Sequence, residues 1–213
     1  ILISESAEKD FKIKEMLSGI ICDVYVVPDK ILDKATDAEH GVKIIAVLPK
    51  SGLVRSNCEI PKNEDNVLVL DRIQDPGNMG TILRAAYAAG YKKIYAIKGT
   101  ADVYSSKVLR ATAGTIFDLP VVYVDDVRSL LQINDIRDRR LTVTVPESGL
   151  AYYECDLCHN TALVIGNEGN GVSDELIEAA DVKVTIPMRK GIESLNAAIS
   201  AAILMYESVR VNK

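Results

Sequence analysis

Positive charge is not in surplus in this chain. Lys and Arg number 25 against 30 Asp and Glu, a formal net charge of −5. A general nucleic-acid binder usually carries a basic footprint, so that class is disfavoured. Local clusters remain at Lys9, Lys12 and Lys14, at Arg137, Arg139 and Arg140, and at Arg189 with Lys190. Each also reads as a solvated face. Long apolar runs are missing too, and none approaches the ~20 residues of a membrane span. No basic segment with an apolar run behind it opens the chain as a secretory leader does. A cytoplasmic protein with no membrane partner is therefore the expectation. The first residue is isoleucine, so the chain does not read as beginning at its native initiator. The four cysteines, with no leader, read as reduced thiols, Cys155 and Cys158 near the surface. Histidine is scarce: with only His40 and His159, a serine or cysteine triad has little to draw on. Cys155-Asp-Leu-Cys158-His159 has the spacing of covalent haem attachment, but no secretory segment accompanies it. Zinc would need a further ligand from Cys22, Cys58 or His40. No metal is expected.

What the chain does have is apolar content, 48% of 213 residues. That is enough for one good core, or for one domain plus part of another. Residues 1–49 read as a small α/β piece: a strand end at 2–3, a helix over 9–17, a strand over 24–27, a short helix over 28–38 and a strand over 44–48. Its abrupt first strand reads as a domain missing its amino-terminal part. Residues 50–63, with Ser51, Gly52 and Pro61, read as a linker. From residue 64 onward strands and helices alternate. Strands are expected at 67–70, 94–97, 121–124, 141–145, 162–165 and 182–186. Helices are expected at 80–89, 105–113, 127–133 and 174–179, with a long last one over 194–211. Such alternation, with apolar β-rich runs, predicts a mostly parallel sheet covered on both faces.

Three segments carry chemistry. In the first, Val67-Leu-Val-Leu70 empties into Asp75-Pro-Gly-Asn-Met-Gly-Thr-Ile-Leu-Arg84. Asp75 to Asn78 reads as a turn, which places Asn78 at the mouth of a helix and Arg84 further along it. Ligands of open α/β sheets bind at the carboxyl ends of strands. In the second, Ala162-Leu-Val-Ile165 leads into Gly166-Asn-Glu-Gly-Asn-Gly171, and Ser173-Asp-Glu starts a helix with acidic residues. The glycine order differs from the dinucleotide fingerprint, and no Gly-Lys-Ser/Thr follows as in a Walker loop. Acidic residues at that helix start would repel a phosphate. A neutral or cationic ligand suits the loop, and S-adenosylmethionine, with its sulfonium and ammonium, is such a ligand. In the third, Ile186-Pro-Met-Arg-Lys-Gly-Ile-Glu-Ser-Leu-Asn196 joins a strand to an alanine-rich helix. There Ser194 reads as an N-cap, and Asn196 could bond locally to the backbone. The small-residue face permits close packing within the fold or across a dimer.

In this order the three motifs resemble the SpoU/TrmH family of RNA ribose 2′-O-methyltransferases, of the SPOUT superfamily. The resemblance covers residues 64–213. Residues 1–49 resemble, by pattern alone, the later part of an L30e-like RNA-binding domain. The family implies a trefoil-knotted α/β domain, which general chain topology would not suggest. It also implies a homodimer, S-adenosylmethionine as methyl donor, and an RNA substrate, ribosomal more than transfer RNA. Carried onto this sequence, the family's catalytic positions are Asn78, Arg84, Glu168, Ser194 and Asn196, with Arg84 foremost. Knot loops at 166–169 and 186–195 would hold the cofactor, mostly through backbone groups, at Gly166, Asn167, Gly169, Ile186, Met188 and Leu195. Thr144 and Val145 would line its adenine side. The two-residue Arg189-Lys190 insert before Gly191 departs from the family and should alter loop shape more than chemistry. Two other classes stay open on the residues: a non-catalytic RNA-binding relative, and a nucleotide-dependent oxidoreductase that the glycine spacing disfavours.

Overall fold

The computed structural model describes residues 1–36, 41–50 and 65–211. The expected linker, and with it Cys58, lies almost wholly outside them, as do His40 and the end of the helix expected over 28–38. The chain divides into two compact units, 1–53 and 54–213.

In the first unit, β1 (Leu2–Ser4) pairs parallel with β2 (Tyr25–Val27) and antiparallel with β3 (Ile44–Ile45). Helices α1 (Phe11–Leu17) and α2 (Asp29–Lys34) connect them. Asp10 caps α1 by accepting the Lys12 amide at 3.0 Å, which supplies a partner for one of the donors a helix start leaves unmet. The core is small: Ile3, Ala7 and Ile13. The third strand is shorter than its apolar run, because only Ile44 and Ile45 find partners on β1.

The second unit is a seven-stranded sheet in the order β6-β5-β4-β9-β7-β10-β8. Its strands are β4 (Val67–Asp71), β5 (Lys93–Ile97), β6 (Val121–Val124), β7 (Arg140–Thr144), β8 (Leu150–Ala151), β9 (Thr161–Gly166) and β10 (Val182–Thr185). Every pairing is parallel. Every residue of β4 and β9 is buried, as expected of central strands covered on both faces. Alternate residues serve opposite cores. Leu68, Leu70, Leu163 and Ile165 pack with α3 (Pro76–Ala88), α4 (Ser106–Thr112) and α8 (Ala197–Val211). Val67, Val69, Val143 and Val164 pack with α5 (Val127–Leu131), α6 (Asn134–Arg137) and α7 (Asp174–Ala179). Burying each such aliphatic side chain contributes about 1.5–3 kcal/mol before chain entropy is counted.

Several expectations change on contact with the structure. Asp75 to Asn78 is not a free-standing turn but the start of α3. Pro76 stands at the first helical position and Asp75 caps the helix by accepting the Asn78 amide at 2.7 Å; proline tolerates that position because its missing N–H is unmet there anyway. The helix expected over 127–133 stops at Leu131 as α5, and the short α6 that follows was not expected. The short β8 gave no apolar signal. Arg139 is no solvated cation: it is 4% exposed, its Nε donates to the Asp65 carbonyl at 2.8 Å, and its guanidinium pairs with Asp135. Arg140 leans on Asp156. Cys158 is buried, not a surface thiol.

Candidate active site

The late strand β9 lies between β4 and β7, with β10 next beyond β7, so the three motif loops leave the ends of β4, β9 and β10 within a run of four adjacent parallel strands. A pocket of about 440 Å³ opens there. Thr144 and Val145 at the end of β7, Ile165 and Gly166 at the end of β9, and Val184 and Ile186 at the end of β10 form its walls. Met188, Ser194 and Leu195 of the third motif and Asn167 to Gly171 of the second close it. All eight residues expected to bind a cofactor line this pocket. Sequence reasoning missed Ser200 and Leu204 on α8, which also line it; nothing in an alanine-rich helix marks which face meets a ligand.

The glycine loop is tightly built. Asn167 and Gly171 exchange two backbone hydrogen bonds at 2.9 Å each, and Gly171 takes a φ of +69°, a region glycine enters without a Cβ penalty. A Cβ on Gly166 would lie 2.3 Å from the backbone of Gly171 and Val172. Gly166→Ala should therefore push the loop apart, at about 1–3 kcal/mol or more for overpacking. The expected result is a lower melting temperature together with lost ligand affinity, read by thermal unfolding and calorimetry. Two loop amides, Gly169 and Asn170, already donate to the Asn167 side-chain Oδ1 at 3.0 and 2.9 Å. They brace the loop and are not on offer to a ligand.

Beside the pocket a chain of polar groups ties the three motifs together. The Glu168 carboxylate accepts the amides of Gln74 and Asp75, both at 3.1 Å, and the Asn78 side-chain amide at 3.0 Å. Asn78 in turn accepts the Asn196 side-chain amide at 2.9 Å. The Asn196 oxygen accepts the Ala198 and Ile199 amides at 3.0 and 3.2 Å, so Asn196, not Ser194, caps α8. Ser194 is exposed at the pocket rim. Packing against the α3 start withdraws solvent from Glu168 and pushes its carboxyl up. Its amide donors, Asn78 first and then the backbone of Gln74, Glu168 and Asp75, outweigh that and hold it below the usual carboxylate value.

Arg84 stands apart. It is exposed on α3, lines no part of the pocket, and has no hydrogen bond or ion pair among the described residues. It stands six positions after Asn78, about 9 Å along the helix and about 120° around it. Within one chain the structure therefore brings Asn78, Glu168 and Asn196 together and leaves Arg84 outside.

The electrostatics of the pocket are one-sided. Glu168, Asp174 and Glu193 line it, and no Lys, Arg or His does. Among the described residues no group of His, Cys, Asp and Glu could hold a metal ion, and no helix is long and apolar enough to cross a membrane.

Residues 65–206 match the SpoU rRNA Methylase family. The chain belongs to that family. It is 33% identical over 202 residues to the 23S rRNA (guanosine(2553)-2′-O)-methyltransferase RlmP of Bacillus subtilis (strain 168), covering 90% of this chain and 74% of the relative. It is 33% identical over 195 residues to the 23S rRNA (uridine(2479)-2′-O)-methyltransferase of Streptomyces viridochromogenes, covering 88% and 67%. Among solved structures it resembles the SpoU methyltransferase AviRb of Streptomyces viridochromogenes in complex with the cofactor AdoMet. That match has a TM-score of 0.82 at 28% identity and covers 99% of this chain and 82% of the other. As a SpoU family chain it has the mostly parallel sheet of these S-adenosylmethionine-dependent methyltransferases.

Proposed function

We propose that this SpoU family chain methylates ribose 2′-hydroxyls of ribosomal RNA with S-adenosylmethionine. The observation that carries the cofactor is the pocket's charge: three carboxylates and no cation on its walls. Such walls repel a pyrophosphate and favour a sulfonium and an ammonium. Gly166 adds a shape argument, since its missing side chain lets the loop close over the pocket. Ribosomal RNA is favoured because both relatives named above act on 23S rRNA. In domain terms, residues 64–213 are the catalytic part, 50–63 a linker, and 1–49 a partial L30e-like domain that would touch RNA. The insertion of β9 between two earlier strands fits a knotted chain whose loops at 166–169 and 186–195 wrap the cofactor.

The bound cofactor supplies an electrophilic methyl group. The protein's task is to bring a ribose oxygen in line with it, and positioning supplies most of the acceleration. Asn78, with both ends of its amide engaged, is rigidly aimed. Glu168 sits among the amides at the α3 N-terminus, where negative charge is stabilised. Arg84 stays protonated, so it is not the base. It grips the neighbouring phosphate, orients the hydroxyl and stabilises charge growing on the oxygen, while the proton leaves to phosphate or water.

Because Arg84 lies away from its own chain's Asn78, the reading requires a homodimer in which it reaches the RNA beside the partner's pocket, not the cofactor inside it. An exposed face on α3 and α8, with Tyr87, Ile199 and Tyr206 at 44, 52 and 49% exposure, suits that contact. Light scattering at micromolar concentration should give twice the chain mass, and Ile199→Glu with Tyr206→Glu should halve it and remove activity. A fully active monomer would break this part of the reading. For the cofactor, calorimetry should show binding of S-adenosylmethionine and its demethylated product and none of NAD. Ribose-methylation mapping of ribosomal and transfer RNA, with and without the protein, tests the substrate. NAD binding with no response to either sulfur ligand would return the oxidoreductase reading.

A further inference from the structure

We infer that Asp71 and Arg72, at the end of β4, are positioning residues that clamp the glycine loop to the first motif and thereby set cofactor affinity. The inference rests on the methyltransferase reading for its ligand, but not for its geometry.

Asp71 is fully buried although it is charged. A buried carboxylate is costly unless it is paired and hydrogen-bonded. Here it is both. One oxygen accepts Arg72 Nε at 2.7 Å; the other accepts Arg72 Nη2 at 3.3 Å and the Ser173 amide at 2.6 Å. Ser173 is the residue before α7, where the glycine loop ends. Arg72 itself takes a φ of +57°. A non-glycine residue pays about 1–2 kcal/mol for that left-handed conformation, so something must hold it. The fork onto Asp71 does, and the result is that the Arg72 carbonyl accepts the Asn167 side-chain amide at 2.8 Å. Asn167 begins the loop and braces it through Gly169 and Asn170.

Both ends of the loop are thus tied to the last residue of β4 and the one after it: Ser173 to the Asp71 carboxylate and Asn167 to the Arg72 carbonyl. Three to four residues further along, the tip of the same loop returns the contact, as Glu168 accepts Gln74 and Asp75. Segments 71–78 and 166–173 are laced together from both sides, and the laced segment forms one wall of the pocket. A purely structural clamp would change stability alone. A positioning clamp changes the affinity of the ligand that the loop encloses.

The variants separate the ion pair from the backbone shape. Asp71→Asn keeps the volume but turns an amide donor toward Ser173 or Arg72. Arg72→Asn and Arg72→Val both delete the guanidinium, yet asparagine tolerates the left-handed region and a β-branched valine does not. With S-adenosylmethionine as the calorimetric probe, Asp71→Asn and Arg72→Val should each raise Kd by at least about 10-fold, the equivalent of one charge-assisted hydrogen bond. Arg72→Asn should bind several-fold more tightly than Arg72→Val. Wild-type affinity in Asp71→Asn, or equal affinity in the two Arg72 variants, overturns the inference. Should a variant fail to fold, hydrogen exchange in the unaltered protein decides: the Ser173 amide should be protected as strongly as the amides of β4, and rapid exchange there refutes the clamp. If the unaltered protein binds no S-adenosylmethionine, the proposed function falls, while the exchange measurement still judges the clamp.

Discussion

Replacing Arg84 by alanine should lower kcat for RNA methylation by about 100-fold or more, the scale of losing one oxyanion donor, and leave the Kd for S-adenosylmethionine unchanged. The second half follows from position. Arg84 is exposed on α3 and absent from the pocket wall, so its removal leaves the cofactor's surroundings intact. The first half follows from chemistry. A planar guanidinium can hold a phosphate through two parallel bonds and still present a donor to the hydroxyl. A lysine at the same place offers a compact point charge, and Arg84→Lys should recover little. Single-turnover rates on target RNA, with calorimetry alongside, read both quantities. Equal loss of cofactor binding would place Arg84 in the cofactor site. Wild-type turnover in Arg84→Ala would remove it from catalysis and promote the non-catalytic RNA-binding reading. In mixed dimers of Arg84→Ala with Asn78→Ala, a residue acting across the interface should restore about one active site of the two; no restoration would confine Arg84 to its own chain.

The strands at the centre of the second unit were legible because burial on both faces leaves an unbroken apolar run, as in Val67-Leu-Val-Leu70 and Ala162-Leu-Val-Ile165. Edge elements were less so. Strand β8 is two residues long and half-exposed, and no hydrophobic pattern marks it. At helix starts, residue type alone misassigned the cap: Ser194 and Asn196 are both good caps, and the choice fell to Asn196, whose other amide end bonds Asn78. The meeting of Asn78, Glu168 and Asn196 could be expected from the family resemblance alone, because the contacts span 90 and 118 residues. Local periodicity carries no signal at that range. Asp71 and Arg72 stayed invisible for a different reason. An Asp-Arg pair after a strand reads as a surface turn, and no residue pattern announces an arginine at positive φ.

Glu168→Gln should be more damaging than Glu168→Ala, against the usual order of conservative and drastic changes. Both carboxylate oxygens face donors: Asp75 and Asn78 on one, Gln74 on the other. Whichever oxygen becomes an NH2 group, donor then meets donor. Turning Asn78 over cannot relieve the clash, because its oxygen is held by Asn196, and Asn196 cannot turn without uncapping α8. An alanine leaves room for water to satisfy the same donors. The expected loss is about 1–3 kcal/mol of stability for Gln, with kcat down on the order of 100-fold, and smaller losses for Ala. Acid should erase the difference in stability. The Glu168 carboxyl is held below its ordinary value in the folded protein. The stabilisation it provides is therefore complete above the unfolded value of about 4.3 and disappears as pH falls through the lower folded value. Melting temperatures of the unaltered protein and Glu168→Gln, far apart at pH 7, should converge below about pH 4. A gap that persists undiminished into that range would show that the negative charge on Glu168 contributes nothing to holding the three motifs together.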